Sequence, residues 1–106
     1  MAGPRTIEFC RLSELKEKGS VTRVIEGLND EVSAFWADGK VQVYSSVCPH
    51  WGGPVSLDRG RGGLFCPWHD FRYGAESGAC VNRDVKLSLR RYPFVERDGV
   101  LEVTVG

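Results

Sequence analysis

Two short stretches carry every histidine in the chain. CPHWGG at residues 48–53 and FCPWHDF at 65–71 each set a Cys-Pro pair beside a histidine. The spacing is Cys48-x-His50, fifteen intervening residues, then Cys66-x-x-His69. Four soft or borderline ligands in two short loops point to a metal centre. Two Cys and two His can hold zinc tetrahedrally. Structural zinc sites, however, commonly pair Cys with Cys and His with His in their knuckles. Here both knuckles are mixed and their spacings differ. Such an order brings one Cys and one His from each loop to a shared centre, where a two-iron cluster could take both cysteines on one iron and both histidines on the other.

The elements that must position these loops read as short strands. RTIEF (5–9) alternates, with Ile7 and Phe9 on one face, and LSELKEKG (12–19) allows about one helical turn between a Ser13 N-cap and a Gly19 stop. SVTRVIE (20–26) and EVSAFWA (31–37) read as strands across a GLND turn. Asp38-Gly39 is a two-residue hairpin signal leading into KVQVYSS with Val41 and Val43 inward. Residues 48 to about 80 read as loop, with Gly52, Gly53, Gly60, Gly62 and Gly63 between the first and last proposed ligands. Beyond them VKLSLRRY alternates Val85, Leu87 and Leu89. Asp98-Gly99 then signals a second hairpin, with Leu101, Val103 and Val105 on one face of VLEVTV. The expectation is an all-β fold, a small antiparallel sandwich or barrel with its chemistry on the loops.

Composition narrows the function. A chain of 106 residues fits one domain, residues 1–106, with cluster-binding loops at about 46–80. Fourteen basic and fourteen acidic residues cancel, so no global field suggests nucleic acid or an anionic membrane surface. The opening residues, MAGPRTIEFC, hold no apolar run of signal-peptide or membrane-span length, and the expected location is cytoplasmic. In that compartment the four cysteines read as ligands or buried thiols rather than a disulfide framework. Cys10 and Cys80 have no histidine companion. Each reads as a small buried side chain, with a Cys10–Cys80 bridge or redox reactivity as alternatives.

The ligand pattern, with Pro49, Gly52, Pro67 and Trp68 inside it, resembles the signature of the Rieske 2Fe–2S domain. LSELKEKGSV, GKVQVYSSVCPH and YPFVERDGVLEVTV resemble that family's early turn, approach strand and closing hairpin, so the resemblance spans nearly the whole chain. It implies a Rieske fold with a cluster-binding subdomain and one 2Fe–2S cluster. Cys48 and Cys66 would bind the iron that stays ferric, His50 and His69 the redox-active iron. Pro49 and Pro67 would stiffen the loops, and Gly52 and Gly53 would let backbone N–H groups approach sulfur. Trp51 and Trp68 read as cluster shields or ordinary packing. Tyr73 reads either as a hydroxyl near a ligand sulfur or as a plain strand aromatic.

Departures from the family pattern select among its branches. Proteins of quinol-oxidising complexes carry a further Cys in each ligand loop, forming a bridge; the matching positions here are Gly53 and Trp68. They also tend to have a serine two residues after the second histidine, where this chain has Phe71. Fewer hydrogen bonds to sulfur imply a lower potential. A complete oxygenase would need a further 2-His-1-carboxylate iron, and both histidines are committed. The resemblance therefore implies no enzyme by itself. It implies a soluble ferredoxin passing single electrons from an NAD(P)H-linked flavin reductase to a terminal, aromatic-ring oxygenase, with brief docking near His50 and His69. The small subunit of an assimilatory nitrite reductase and a zinc-binding structural module are the alternatives. Arg59, Arg61 and Arg72, against Asp58 and Asp70, read as a solvated loop of mixed charge or as a docking patch.

Overall fold

A computed structural model describes residues 4–28, 30–49, 52–58, 60–68 and 70–105. Its strands form three antiparallel three-stranded sheets. The first orders β1 (Arg5–Arg11), β9 (Val100–Val105) and β8 (Phe94–Arg97). The second orders β2 (Ser20–Ile25), β3 (Asp30–Ala37) and β4 (Lys40–Ser45). The third is small: β5 (Ser56–Leu57), β6 (Leu64–Cys66) and β7 (Phe71–Tyr73).

Alternation explains the first core. Leu101, Val103 and Val105 are buried on one face of β9, with Phe9 beside them from β1. They pack with Ile25, Val32, Ala34, Val41 and Val43 from the second sheet. The intervening β3 residues face the other way: Phe35 joins Tyr44, Leu64, Phe71, Tyr73, Cys48 and Cys66 in a second core. The middle of β3 is thus buried on both faces, which is why its sequence reads as a nearly continuous apolar run. One sheet carries the scaffold core on one side and the ligand subdomain on the other.

Both predicted hairpins form. Ala37 pairs with Lys40 across Asp38 (φ 53°) and Gly39 (φ 74°), and Arg97 with Val100 across Asp98 (φ 52°) and Gly99 (φ 77°). These successive positive φ values are what a tight two-residue turn demands.

Three expectations need correction. The helix α1 (Leu12–Lys18) starts directly from β1, so Arg11 rather than Ser13 is the N-cap and makes no side-chain cap bond. The Leu12 N–H is satisfied instead by the Gly99 carbonyl at 3.0 Å. The Gly19 stop is as expected, with φ 86° and its N–H on the Leu15 carbonyl. The ligand region, expected as loop, contains the third sheet. VKLSLRRY, expected as a strand, makes only isolated bridges, Ala79 with Ser88 and Tyr44 with Arg91. Its backbone bonds in pieces to two neighbours: Leu89 N–H to Gly78, and the Arg90 carbonyl to Ser45 N–H. A segment without a continuous partner cannot build a ladder, and Val85 accordingly stays exposed.

Asp30 ties β3 to β4 and to the 90–92 segment. Its carboxylate accepts the buried Tyr92 hydroxyl and, at 2.8 Å, the Ser45 hydroxyl. Burial first, then the Asp30 hydrogen bond and charge, push the Tyr92 phenol up to about 12. The neutral phenol is the form the fold favours. Its contribution is therefore fully present below the ordinary tyrosine pKa of about 10 and is lost as pH rises through about 12. Tyr92→Phe leaves the carboxylate short of a donor and should cost about 1–3 kcal/mol. It should also remove part of the alkaline destabilisation, part only because burial raises Tyr44 too. Denaturant unfolding between about pH 9 and pH 12 checks both.

Candidate metal centre

The first loop leaves β4 through Ser45 and Ser46 and returns at Pro54, which bridges to Val47. Inside that bridge the Cys48 N–H donates to the Gly53 carbonyl and the Gly52 N–H to the Cys48 carbonyl, each at 2.8 Å. Gly52 takes φ 76°, the left-handed turn that closes so short a loop. Ser46 anchors the base: it accepts the Val55 N–H at its carbonyl, and its hydroxyl reaches the Glu31 carboxylate at 3.0 Å. The second loop joins β6 to β7 and is closed by the pairing of Cys66 with Phe71. Asp70, at φ 53°, turns the chain back into β7.

The two loops bring Cys48 and Cys66 together, both almost fully buried. Burial pushes the Cys66 thiol up, and a hydrogen bond with Cys48 adds to it, while the Trp68 backbone N–H aimed at the sulfur opposes. The Tyr73 hydroxyl lies 3.1 Å from Cys48 Sγ. With that sulfur as a thiolate, the hydroxyl is the donor. Two buried sulfurs side by side, each with a donor directed at it, suit metal-bound thiolates better than free thiols, because burial alone disfavours thiolate unless a cation compensates.

Gly53 makes the approach of the loops possible. A Cβ there would stand 2.7 Å from Cys66 Sγ and 2.7 Å from Trp68 Cδ2. Of the two glycines, Gly52 departs from expectation, its N–H being spent on the Cys48 carbonyl, whereas Gly53, by lacking a side chain, gives the close approach to sulfur expected of it. Trp68 is 52% exposed, with its ring laid over Gly53, and so covers one side of the loop pair. Gly53 and Trp68 are also neighbours in space, and neither can form a disulfide. His50, His69, Trp51 and Arg59 lie outside the described residues.

The charged residues behind the site are mutually engaged. Asp58 accepts Arg72 Nη2 at 2.8 Å and the backbone N–H groups of Gly60 and Arg61 at 3.0 and 3.1 Å. The Arg72 hydrogen bond first, then that of Arg61, holds the Asp58 carboxyl below its usual range. Arg72 also lies over the Phe65 ring and acts as a strut for the 58–63 turn, whereas Arg61 and Asp70 are exposed. Cys10 packs against the first core and Cys80 against the second; both thiols are free, so the alternative of a bridge between them is not realised. Sequence reasoning missed Asn82, which bonds to both ends of the Asp70 turn. Nothing local marks it, because the contact depends on how residues 78–82 lie along β7.

Comparison with known proteins gives one family. The sequence model of the Rieske [2Fe–2S] domain matches residues 5–93. The oxygenase subunit of 3-chlorobenzoate-3,4-dioxygenase from Comamonas testosteroni is 38% identical over 94% of this chain and 25% of its own length. The chain spans about a quarter of the length of the curated relatives it matches. Among solved structures, the ferredoxin of carbazole 1,9a-dioxygenase from Nocardioides aromaticivorans superposes with a TM-score of 0.74 at 22% identity, covering 92% of this chain and 95% of that one. A Mycobacterium tuberculosis protein described as the small subunit of an NADH-dependent nitrite reductase gives 0.71 at 21% identity, covering 99% and 98%. At such identities the likeness is one of fold.

Proposed function

The chain belongs to the Rieske [2Fe–2S] domain family, whose cofactor is a Rieske-type 2Fe–2S cluster, and on that premise we propose that Cys48 and Cys66 hold one iron and His50 and His69 the other. The observation that carries the reading is the meeting of two buried cysteine sulfurs from facing loops, one beside the Tyr73 hydroxyl and the other beside the Trp68 backbone N–H. When bound, the cluster supplies a one-electron couple. The chain's own residues then set its surroundings. Tyr73 and the Trp68 N–H stabilise negative charge on sulfur, Gly53 admits the second loop, and the second core excludes water from the cysteine side. Two neutral imidazoles in place of two thiolates make the cluster less negative, so an electron is added more easily.

The finer reading is a ferredoxin-like carrier, not itself an enzyme, that accepts electrons from an NAD(P)H-linked flavin reductase and delivers them to a terminal, aromatic-ring oxygenase. The names of the chlorobenzoate dioxygenase subunit and the carbazole dioxygenase ferredoxin support that setting. Docking would be brief and centred on the ligand loops, where Val47, Pro49, Pro67 and Trp68 are exposed. A cytoplasmic location belongs to the same proposal; among the described residues no helix is long and apolar enough to cross a membrane.

Protein-film voltammetry near neutral pH tests the proposal. Rieske centres as a class span roughly −150 to +300 mV. A reversible one-electron wave toward the low end is expected, because Gly53 and Trp68 cannot form the bridge, and Phe71 cannot supply the serine hydroxyl, that quinol-linked members have at those positions. A wave near the high end would overturn that argument. No wave from folded, metal-replete protein would return the site to zinc.

A further inference from the structure

The turn that leaves the second ligand loop is held from outside by one side chain. Residues 78–82 run along β7 as a short irregular partner: Tyr73 bridges to Cys80, and the Val81 N–H donates to the Arg72 carbonyl at 2.9 Å. At Asn82 the side chain continues what the backbone began. Its Oδ1 accepts the Arg72 N–H at 2.9 Å, and its Nδ2 donates to the Asp70 carbonyl at 2.7 Å. The amide orientation is fixed by chemistry, since a flipped group would set donor against donor and acceptor against acceptor. The Cys80 thiol approaches the same Oδ1 at 3.7 Å. Between the two contacts the chain takes its left-handed step at Asp70, φ 53°. A turn in that region persists where its surroundings hold it.

We propose that Asn82 is a positioning residue for the second ligand loop, fixing the backbone that immediately follows position 69. The inference rests on the ligand assignment above. Asn82 is not itself one of the assigned ligands; it acts through the Asp70 carbonyl and the Arg72 N–H. A side chain that only steadied β7 would change melting temperature and leave the metal centre as it was.

Three readouts on the holoprotein separate these roles: rate of cluster loss to a chelator, electron paramagnetic resonance line shape of the reduced protein, and hydrogen exchange at the Arg72 amide. Asn82→Ala removes both bonds and should speed cluster loss and Arg72 exchange about tenfold each. Asn82→Asp keeps the Oδ1 acceptor but turns an acceptor toward the Asp70 carbonyl. It should keep Arg72 protected while still losing cluster faster and altering the line shape. Should the alanine variant not fold, the near-isosteric aspartate variant decides. Native cluster-loss rates and line shape in a folded variant would overturn the proposal. A wild-type protein without a Rieske spectrum would sink the ligand assignment, and the claim about a ligand loop with it. Unchanged Arg72 exchange in Asn82→Ala would instead sink only the claim that this side chain holds the turn.

Discussion

A Gly53→Ala chain should fold and yet fail to hold its cluster. The added methyl would lie 2.7 Å from Cys66 Sγ and 2.7 Å from the Trp68 ring, closer than real Cβ contacts come. Trp68 is half exposed and can swing outward. Cys66 cannot retreat, because it is fully buried at the end of β6 and paired with Phe71. The clash is relieved only if the two loops part, and parting them separates Cys66 from Cys48. Overpacking of this kind costs about 1–3 kcal/mol, here concentrated where the metal must bind. Gly52→Ala is the informative control. That position needs φ 76°, worth about 1–2 kcal/mol of backbone strain, but among the described residues a Cβ there meets only Val47 at 3.9 Å. It should lower stability and still assemble the cluster. Iron and acid-labile sulfide per chain, read beside far-ultraviolet circular dichroism, distinguish the two. Full occupancy in Gly53→Ala would show that loop approach does not depend on the missing side chain.

The contrast between those glycines shows what a sequence can and cannot disclose. Asp38-Gly39 and Asp98-Gly99 announced their hairpins because turn chemistry is local, and the β9 alternation announced its face for the same reason. The Cys and His spacing was legible because ligands must come in close pairs. The third sheet was not. Its strands are only two or three residues long, too short for a period to show, and glycines surround them. VKLSLRRY erred in the opposite direction: its alternation is real, with Leu87 and Leu89 turned inward between exposed Lys86, Ser88 and Arg90, yet its partner changes from residues 78–80 to β4, so no continuous ladder forms. The Ser13 cap failed because β1 passes into α1 without the loop that such a cap closes. Around the site, what escaped was whatever depends on register. The Asp58–Arg72 strut joins residues 14 apart, and Asn82 reaches back 10 and 12 residues to Arg72 and Asp70. Tyr73 stood midway: its type suggested a donor, but only the pairing of β6 with β7 decides whether it faces sulfur.

Tyr73→Phe isolates that donor. The ring is buried in the second core and phenylalanine keeps the packing, so the fold should survive with little loss. What disappears is the hydroxyl 3.1 Å from Cys48 Sγ. The cluster is more negative when reduced, so a hydrogen bond donated to its ligand sulfur is stronger in that state. Removing the bond therefore raises the reduced form more than the oxidised one, and the midpoint potential falls. A difference of about 1 kcal/mol between the two states corresponds to roughly 40 mV for a one-electron couple, and the expected drop is of that order, up to about twice it. Tyr92→Phe serves as the control, because it removes a buried phenol hydroxyl bonded to Asp30, in the other core. Its stability should fall while its potential stays near the wild-type value. Equal potentials in Tyr73→Phe and wild type would mean that the hydroxyl does not donate to the cluster's sulfur, and its place 3.1 Å from Cys48 would then be a matter of packing alone.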